Sequence, residues 1–278
     1  MKSLFDQVSN KCSKFITNTY STSFSLGIRM LHKDLHEPIY NIYGFVRLAD
    51  EIVDTFHEFD KEILLDDFIN STFKAIQHKV SLNPILNSFQ DVVNQYNIDH
   101  ELIHSFISSM KKDLYTKEYD TNGIKDYILG SAEVVGLMCL TVFLNGDKEQ
   151  YNKLKPYAMS LGSAFQKINF LRDISTDYKE LGRTYFPDVN IDTFNKNDKS
   201  IIENDIEKDF IKGLEGIKLL PKSSKGGVYL SYLYFYSLLN KIKKIEAEDL
   251  LEKRFRVSNY YKVFLLIKSK ISVAFNRI

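Results

Sequence analysis

Two Asp-x-x-x-Asp pairs, about 120 residues apart, are the residues in this chain best suited to chemistry. The first is Asp50 and Asp54, in Arg47-Leu-Ala-Asp-Glu-Ile-Val-Asp54; the second is Asp173 and Asp177, in Asn169-Phe-Leu-Arg-Asp-Ile-Ser-Thr-Asp177. A four-residue step returns to the same face of a helix, so each pair projects two carboxylates side by side. Like charges so placed repel, and burying them is costly unless a cation arrives. Mg²⁺ is the cation that suits the pattern. It is a hard ion that takes a few carboxylates, and phosphate oxygens of a substrate complete its shell. Mn²⁺ is the alternative ion. Neither pair has a His or Cys beside it, which argues against zinc.

The neighbours of each pair add to the pattern. Arg47, Asp50, Glu51 and Asp54 fall within roughly 100° of a helical wheel. Ile42, Tyr43, Phe45, Val46, Leu48, Ile52 and Val53 make that helix apolar nearly all round, which predicts a central helix. Gln166, Asn169, Asp173 and Asp177 fall within about 80° on the second, between Leu161, Phe165, Ile168, Phe170, Leu171 and Ile174. Arg172 points to another side, towards a salt bridge or over a diphosphate. A solvated surface pair is the plain reading of either pair alone; two pairs on mainly apolar helices favour a cavity.

Elements of one kind must position these residues. Apolar positions recur at helical spacing, as in Leu102, Ile103, Phe106 and Met110, or Leu230, Leu233, Tyr234 and Leu238. No two-residue alternation bounded by hairpin turns appears. The expectation is an all-α chain of about ten to twelve helices, forming a single domain over residues 1–278. Breaks are expected at residues 32–38, 57–60, 81–84, 116–123, 145–147 and 221–227, with Gly226-Gly227 as a helix-start turn. The longest polar break runs from Tyr178 to about Lys199. The hydrophobic fraction of 44%, the charged fraction of 26% and the net charge of +1 suit a globular protein and give no reason to expect nucleic acid. Two cysteines, Cys12 and Cys139, make a disulfide framework an unlikely design and fit a cytoplasmic protein. The longest apolar stretch, Val134 to Leu144, is shorter than the roughly 20 residues a bilayer span needs.

These motifs together resemble the squalene/phytoene synthase family. The most specific stretch is Leu161 to Pro187. It resembles the family's second aspartate-rich motif followed by its Gly-Arg-x-Tyr-x-Pro loop, here Gly182-Arg-Thr-Tyr-Phe-Pro187. Tyr20-Ser-Thr-Ser-Phe-Ser25 resembles the N-terminal Ser-x-Ser-Phe element, and Arg47 to Asp54 the first aspartate-rich motif. Ser131-Ala-Glu-Val-Val-Gly136 resembles the central segment, and Lys253-Arg-Phe-Arg-Val257 the basic closing motif. Two positions depart from the family: Leu129 stands where a second tyrosine is usual, and Glu133 where a glycine is usual.

The resemblance implies an all-α isoprenoid-synthase helical bundle around a central cavity, and head-to-head coupling of two prenyl diphosphates. The expected reaction joins two geranylgeranyl diphosphates to phytoene; a farnesyl-using dehydrosqualene or squalene synthase is the alternative. Asp50, Asp54, Asp173 and Asp177 would be the catalytic aspartates and, with Asn169, the metal ligands. Ser21, Ser23, Phe24, Arg47, Gln166, Asn169, Arg172, Arg183, Tyr185 and Arg254 would bind substrate, with Arg256 a second basic candidate. Members that act as scaffolds have lost the aspartates, whereas all four are present here. No glycine-rich nucleotide loop appears, so NADPH is not expected. Residues 253–278 hold seven Lys or Arg and no Asp or Glu. A solvated basic face accounts for them most simply. Water-insoluble products add the expectation of peripheral contact with the inner membrane face, without a spanning segment.

Overall fold

The computed structural model describes every residue except Asp188, Lys253, Arg254 and Asn276, and the side chains of Glu180, Leu181 and Asn259. Among the described residues there is no strand, and thirteen α-helices form, one more than the sequence pattern led us to expect. In order they are α1 (Lys2–Tyr20), α2 (Thr22–Arg29), α3 (Lys33–Asp54), α4 (Lys61–His78), α5 (Pro84–Tyr96), α6 (His100–Tyr115), α7 (Thr121–Ile128), α8 (Val134–Phe143), α9 (Lys148–Leu181), α10 (Lys196–Leu219), α11 (Lys222–Ile242), α12 (Ala247–Leu250) and α13 (Asn259–Ala274). A π-helical turn, Leu129–Glu133, joins α7 to α8.

The first aspartate helix is central, as its apolar circumference predicts. α3 packs against α1, α5 and α8 and buries residues on nearly every side, Ile39, Ile42, Phe45, Ala49 and Val53 among them. Phe45 is fully buried and stacks on Phe89 at a centroid distance of 3.8 Å. Truncating such a ring to alanine costs about 3–5 kcal/mol. α1 approaches α3 through small residues: Ser9, Ser13 and Thr17 are wholly buried. A side chain at Gly44 would meet Ser13 Oγ at 2.7 Å, so the close crossing requires glycine there.

The second aspartate helix is the longest. The 34 residues of α9 span about 50 Å. Asp147 caps its start by accepting a hydrogen bond from the Gln150 amide at 3.0 Å. Gly182 ends it in the left-handed conformation, φ 62°. The helix therefore runs to Leu181, past the polar break expected from Tyr178, because its last turn stays hydrogen-bonded until that glycine. Gly226 and Gly227 are likewise inside α11 and not at its start. The reason is packing: a side chain at Gly227 would meet Leu31 at 2.4 Å and the Gly27 carbonyl oxygen at 2.5 Å.

Two large hydrophobic clusters result. One joins α3 to α6 and α8; the other joins α9, α10 and α11. The helical run Thr121–Phe143 is long and apolar enough to cross a membrane, with 44% of its most apolar window buried. Here it packs between α6 and α9, with Val134, Leu137, Met138, Leu140 and Val142 buried.

Candidate active site

A cavity of about 990 Å³ opens between the two clusters. Its wall along α9 runs from Leu154 through Leu161, Phe165, Gln166 and Asn169 to Arg172. That is 18 residue steps, or about 27 Å of helix. The Leu154 end is apolar, closed by Leu140, Phe143, Tyr157, Ile217 and Leu220; the Arg172 end is polar. Tyr20, Ser21, Ser23, Phe24, Arg47 and Asp50 meet Gln166, Asn169 and Arg172 there, together with Arg256 and Lys262. The π-helical turn contributes Ser131 and Ala132 to the wall, a place where such turns often serve a site.

Local folding sets each polar side chain. Ser21 breaks the chain between α1 and α2, and its hydroxyl accepts the Phe24 amide at 3.2 Å. Arg47 donates to Glu51 one turn on, and its guanidinium lies 4.3 Å from the centre of the Tyr20 ring. Arg172 donates to Asp173 Oδ1 at 2.8 Å. The Gly182 turn then sends Arg183 back towards the first aspartate helix. Its backbone amide donates to the Asp177 carbonyl oxygen at 2.9 Å, and its guanidinium stands 3.6 Å from Asp54.

The site carries more buried negative charge than its arginines balance. Burial, with repulsion from Asp54 next, pushes the Asp50 carboxyl up to about 7 against the pull of Arg47. Burial, and then Asp173, pushes Asp177 up to about 7, opposed by Arg183. The Asp54 charge adds a smaller push to Asp177 in the same direction.

A fifth carboxylate escaped the sequence reading. Asp113 of α6 is 7% exposed, accepts the Tyr127 hydroxyl at 2.8 Å and has no partner for Oδ1. Burial holds its carboxyl up at about 7, against Arg183 and the Tyr127 hydrogen bond. Lys262 was also missed as an individual residue; it donates to Thr22 Oγ1 at 2.7 Å at the polar end.

Of the expected substrate residues, Ser21, Ser23, Phe24, Arg47, Gln166, Asn169 and Arg172 line the cavity, with Asp50 from the metal set. Asp54, Asp173, Asp177 and Arg183 stand outside that lining; Asp173 pairs with Arg172, and Asp54 with Arg183. Tyr185 packs in an aromatic stack, 4.0 Å from the Phe170 centroid and 5.7 Å from that of Tyr127. Arg254 lies outside the described residues, while Arg256 lines the cavity.

Comparison with known proteins decides the family: the squalene/phytoene synthase model matches residues 17–261. The chain belongs to the squalene/phytoene synthase family. This synthase is 26% identical to a 4,4'-diapophytoene synthase of Staphylococcus haemolyticus, over 92% of the chain and 94% of that protein. It is 24% identical to a phytoene synthase of Arthrospira platensis, over 90% and 89%. Its fold matches a dehydrosqualene synthase solved with a ligand, at TM-score 0.83 and 22% identity, covering 97% of this chain and 98% of that one. A squalene synthase from Alicyclobacillus acidocaldarius matches at TM-score 0.76 and 21% identity, covering 86% and 94%. The synthase is thus a prenyltransferase, and head-to-head condensation of prenyl diphosphates is its reaction at the level of the family.

Proposed function

We propose that the synthase joins two geranylgeranyl diphosphates to phytoene, with residues 1–278 acting as one domain. The observation that carries the choice of a long substrate is the cavity itself. It is about 990 Å³ in volume, at the top of the roughly 300–1,000 Å³ range of ligand sites, and follows about 27 Å of α9 from a polar to an apolar end.

The chain's own groups account for the steps. At the polar end Arg47, Arg172, Arg256 and Lys262 bind the diphosphate and balance its charge as it leaves. The groups that would hold a metal offer oxygens: Asp50, Asp54, Asp173, Asp177 and the Asn169 amide. Oxygen donors suit Mg²⁺, which takes a few carboxylates and completes its shell with water and substrate phosphate; among the described residues no three carboxylates, imidazoles or thiols are gathered as a cage on their own. Bound there, Mg²⁺ would supply the charge neutralisation that makes diphosphate a competent leaving group.

Departure of the first diphosphate leaves an allylic cation. Phe24, Tyr43, Phe165 and Phe235 cluster beside that end and line the cavity, with Phe165 and Phe235 stacked at 4.3 Å. Their faces stabilise a cation by about 0.5–2 kcal/mol each. The 2,3 double bond of the second substrate attacks that cation, which leaves a tertiary cation at C3; loss of a proton from the attacked carbon to the released diphosphate then closes the ring of a cyclopropylcarbinyl diphosphate. A second ionisation, rearrangement and loss of one proton give the triene. The apolar wall excludes the water that would trap either cation as an alcohol.

A second reading takes farnesyl diphosphate. Phe143 and Tyr157 crowd the apolar end, and the Staphylococcus relative is a diapophytoene synthase. The test is mass analysis of the hydrocarbon made from labelled C20 and C15 diphosphates with Mg²⁺, with and without NADPH. The proposal expects a C40 product, unchanged by NADPH and lost on chelation. A C30 product alone rejects the longer substrate, and turnover in excess chelator rejects the metal.

A further inference from the structure

The last helix carries two apolar faces, and only one of them is covered. Leu265 is 1% exposed and Ser269 is wholly buried; the Ser269 hydroxyl donates to the Gly226 carbonyl oxygen at 3.2 Å, fixing that face of α13 to α11. The opposite face holds Tyr260, Val263, Phe264, Ile267, Ile271 and Phe275, each between 51% and 92% exposed. At 100° per residue these six fall within about 120° of arc. Scattered exposed apolar side chains are ordinary, but a continuous stripe of this kind marks an interaction surface.

Charge decides the kind of partner. Lys268 and Lys270, both exposed, flank the stripe, each about 80° from its midline. Residues 253–278 carry seven Lys or Arg and no Asp or Glu. An apolar stripe bordered by lysines is the pattern of a helix lying in a membrane interface, its rings and aliphatic chains among the acyl tails and its ammonium groups at anionic headgroups. A second copy of the chain fits less well, because a two-fold contact through this face would set like charges together. Position supports the same partner: Arg256, Val257, Ser258 and Lys262, just before and within the first turn of α13, line the large cavity.

We propose that the outward face of α13 docks on an anionic lipid surface, laying the cavity's α13 side against the bilayer. The stripe makes the contact through insertion of its apolar side chains, and the lysines select the headgroup charge.

The test is co-sedimentation of the full chain with vesicles of phosphatidylcholine alone or mixed with phosphatidylglycerol, across a salt series. The wild type is expected to sediment with the anionic vesicles, not with the neutral ones, and to be released by salt. Ile267→Ser with Ile271→Ser, and separately Lys268→Gln with Lys270→Gln, should each weaken partitioning roughly tenfold or more. Because all four side chains are exposed, their melting temperatures should stay at the wild-type value. Absence of wild-type binding to anionic vesicles at low salt overturns the proposal, as does wild-type binding by either double variant. A dimer in solution that the isoleucine pair dissolves, without vesicle binding, overturns it in favour of a second copy. Partitioning is read without turnover, so failure here and failure of the proposed reaction are separate results.

Discussion

The Arg183 guanidinium stands 3.6 Å from the Asp54 carboxylate, so the loop after the second aspartate helix reaches the end of the first. The same guanidinium donates to the Asp113 backbone carbonyl at 2.7 Å. One arginine, itself 12% exposed, thereby ties α3, α6 and α9 together, while its partner Asp54 stays half open to water. The geometry starts with Gly182, whose left-handed backbone turns the chain at that point.

Removing that arginine should damage both stability and rate. Arg183→Met leaves Asp54, Asp113 and Asp177 without their shared cation. Breaking a buried pair costs about 3–5 kcal/mol; Asp54 is 47% exposed, so a loss of about 2–3 kcal/mol is expected here. Turnover should fall about 100-fold, as for other lost charge-stabilising groups. Arg183→Lys keeps the charge but not the planar fork and should lie between the two. Urea unfolding and steady-state kinetics check both. An Arg183→Met protein with wild-type stability would show that the tie carries no weight.

Asp113 should prove a positioning residue. Its Oδ2 accepts the Tyr127 hydroxyl, and its charge draws Arg183 inward. Asp113→Asn retains an acceptor for Tyr127 and removes the charge. Stability should change by no more than about 1 kcal/mol while turnover drops about tenfold, at nearly unchanged KM. Asp113→Leu also strands the tyrosine hydroxyl, which costs about 1–3 kcal/mol more. Equal stability of the two variants would refute the role given to the Tyr127 hydrogen bond.

The two aspartate stripes were legible because period and composition agree: polar residues recur on one side of α3 and of the Leu161–Asp177 part of α9, and the residues between them are mainly apolar. Asp113 was not legible, since Lys111-Lys112-Asp113 reads as surface charge. Lys111 does lie outside, paired with Asp66, and only the tertiary position of α6 turns Asp113 inward. Gly226 and Gly227 read as a turn because glycine disfavours helices. The close approach of α2 outweighs that preference, and nothing local in the sequence reports it. For α13 the sequence shows apolar residues and lysines, but which apolar face is covered depends on where α11 lies.

Glu133 offers a test by pH. It stands where the sequence resemblance leads one to expect glycine, sits in the π-helical turn and faces a second, smaller pocket with Lys167, Asp209 and Lys212. Burial, and then the neighbouring Asp209, pushes its carboxyl from 4.5 up to about 7, with Lys167 and Lys212 pulling the other way. The folded protein therefore holds this proton more tightly than the unfolded chain. Its contribution to stability is fully present below about pH 4.5 and is lost as pH rises towards 7. Because the side chain is only partly buried, the shift should be worth no more than about 1 kcal/mol after solvent screening. Glu133→Gln removes the ionisation, so it should be more stable than the wild type at pH 8 by about that amount and nearly equal at pH 5. Melting temperatures of the two proteins measured across that range decide the matter, and a constant difference between the curves would exclude Glu133 as the titrating group.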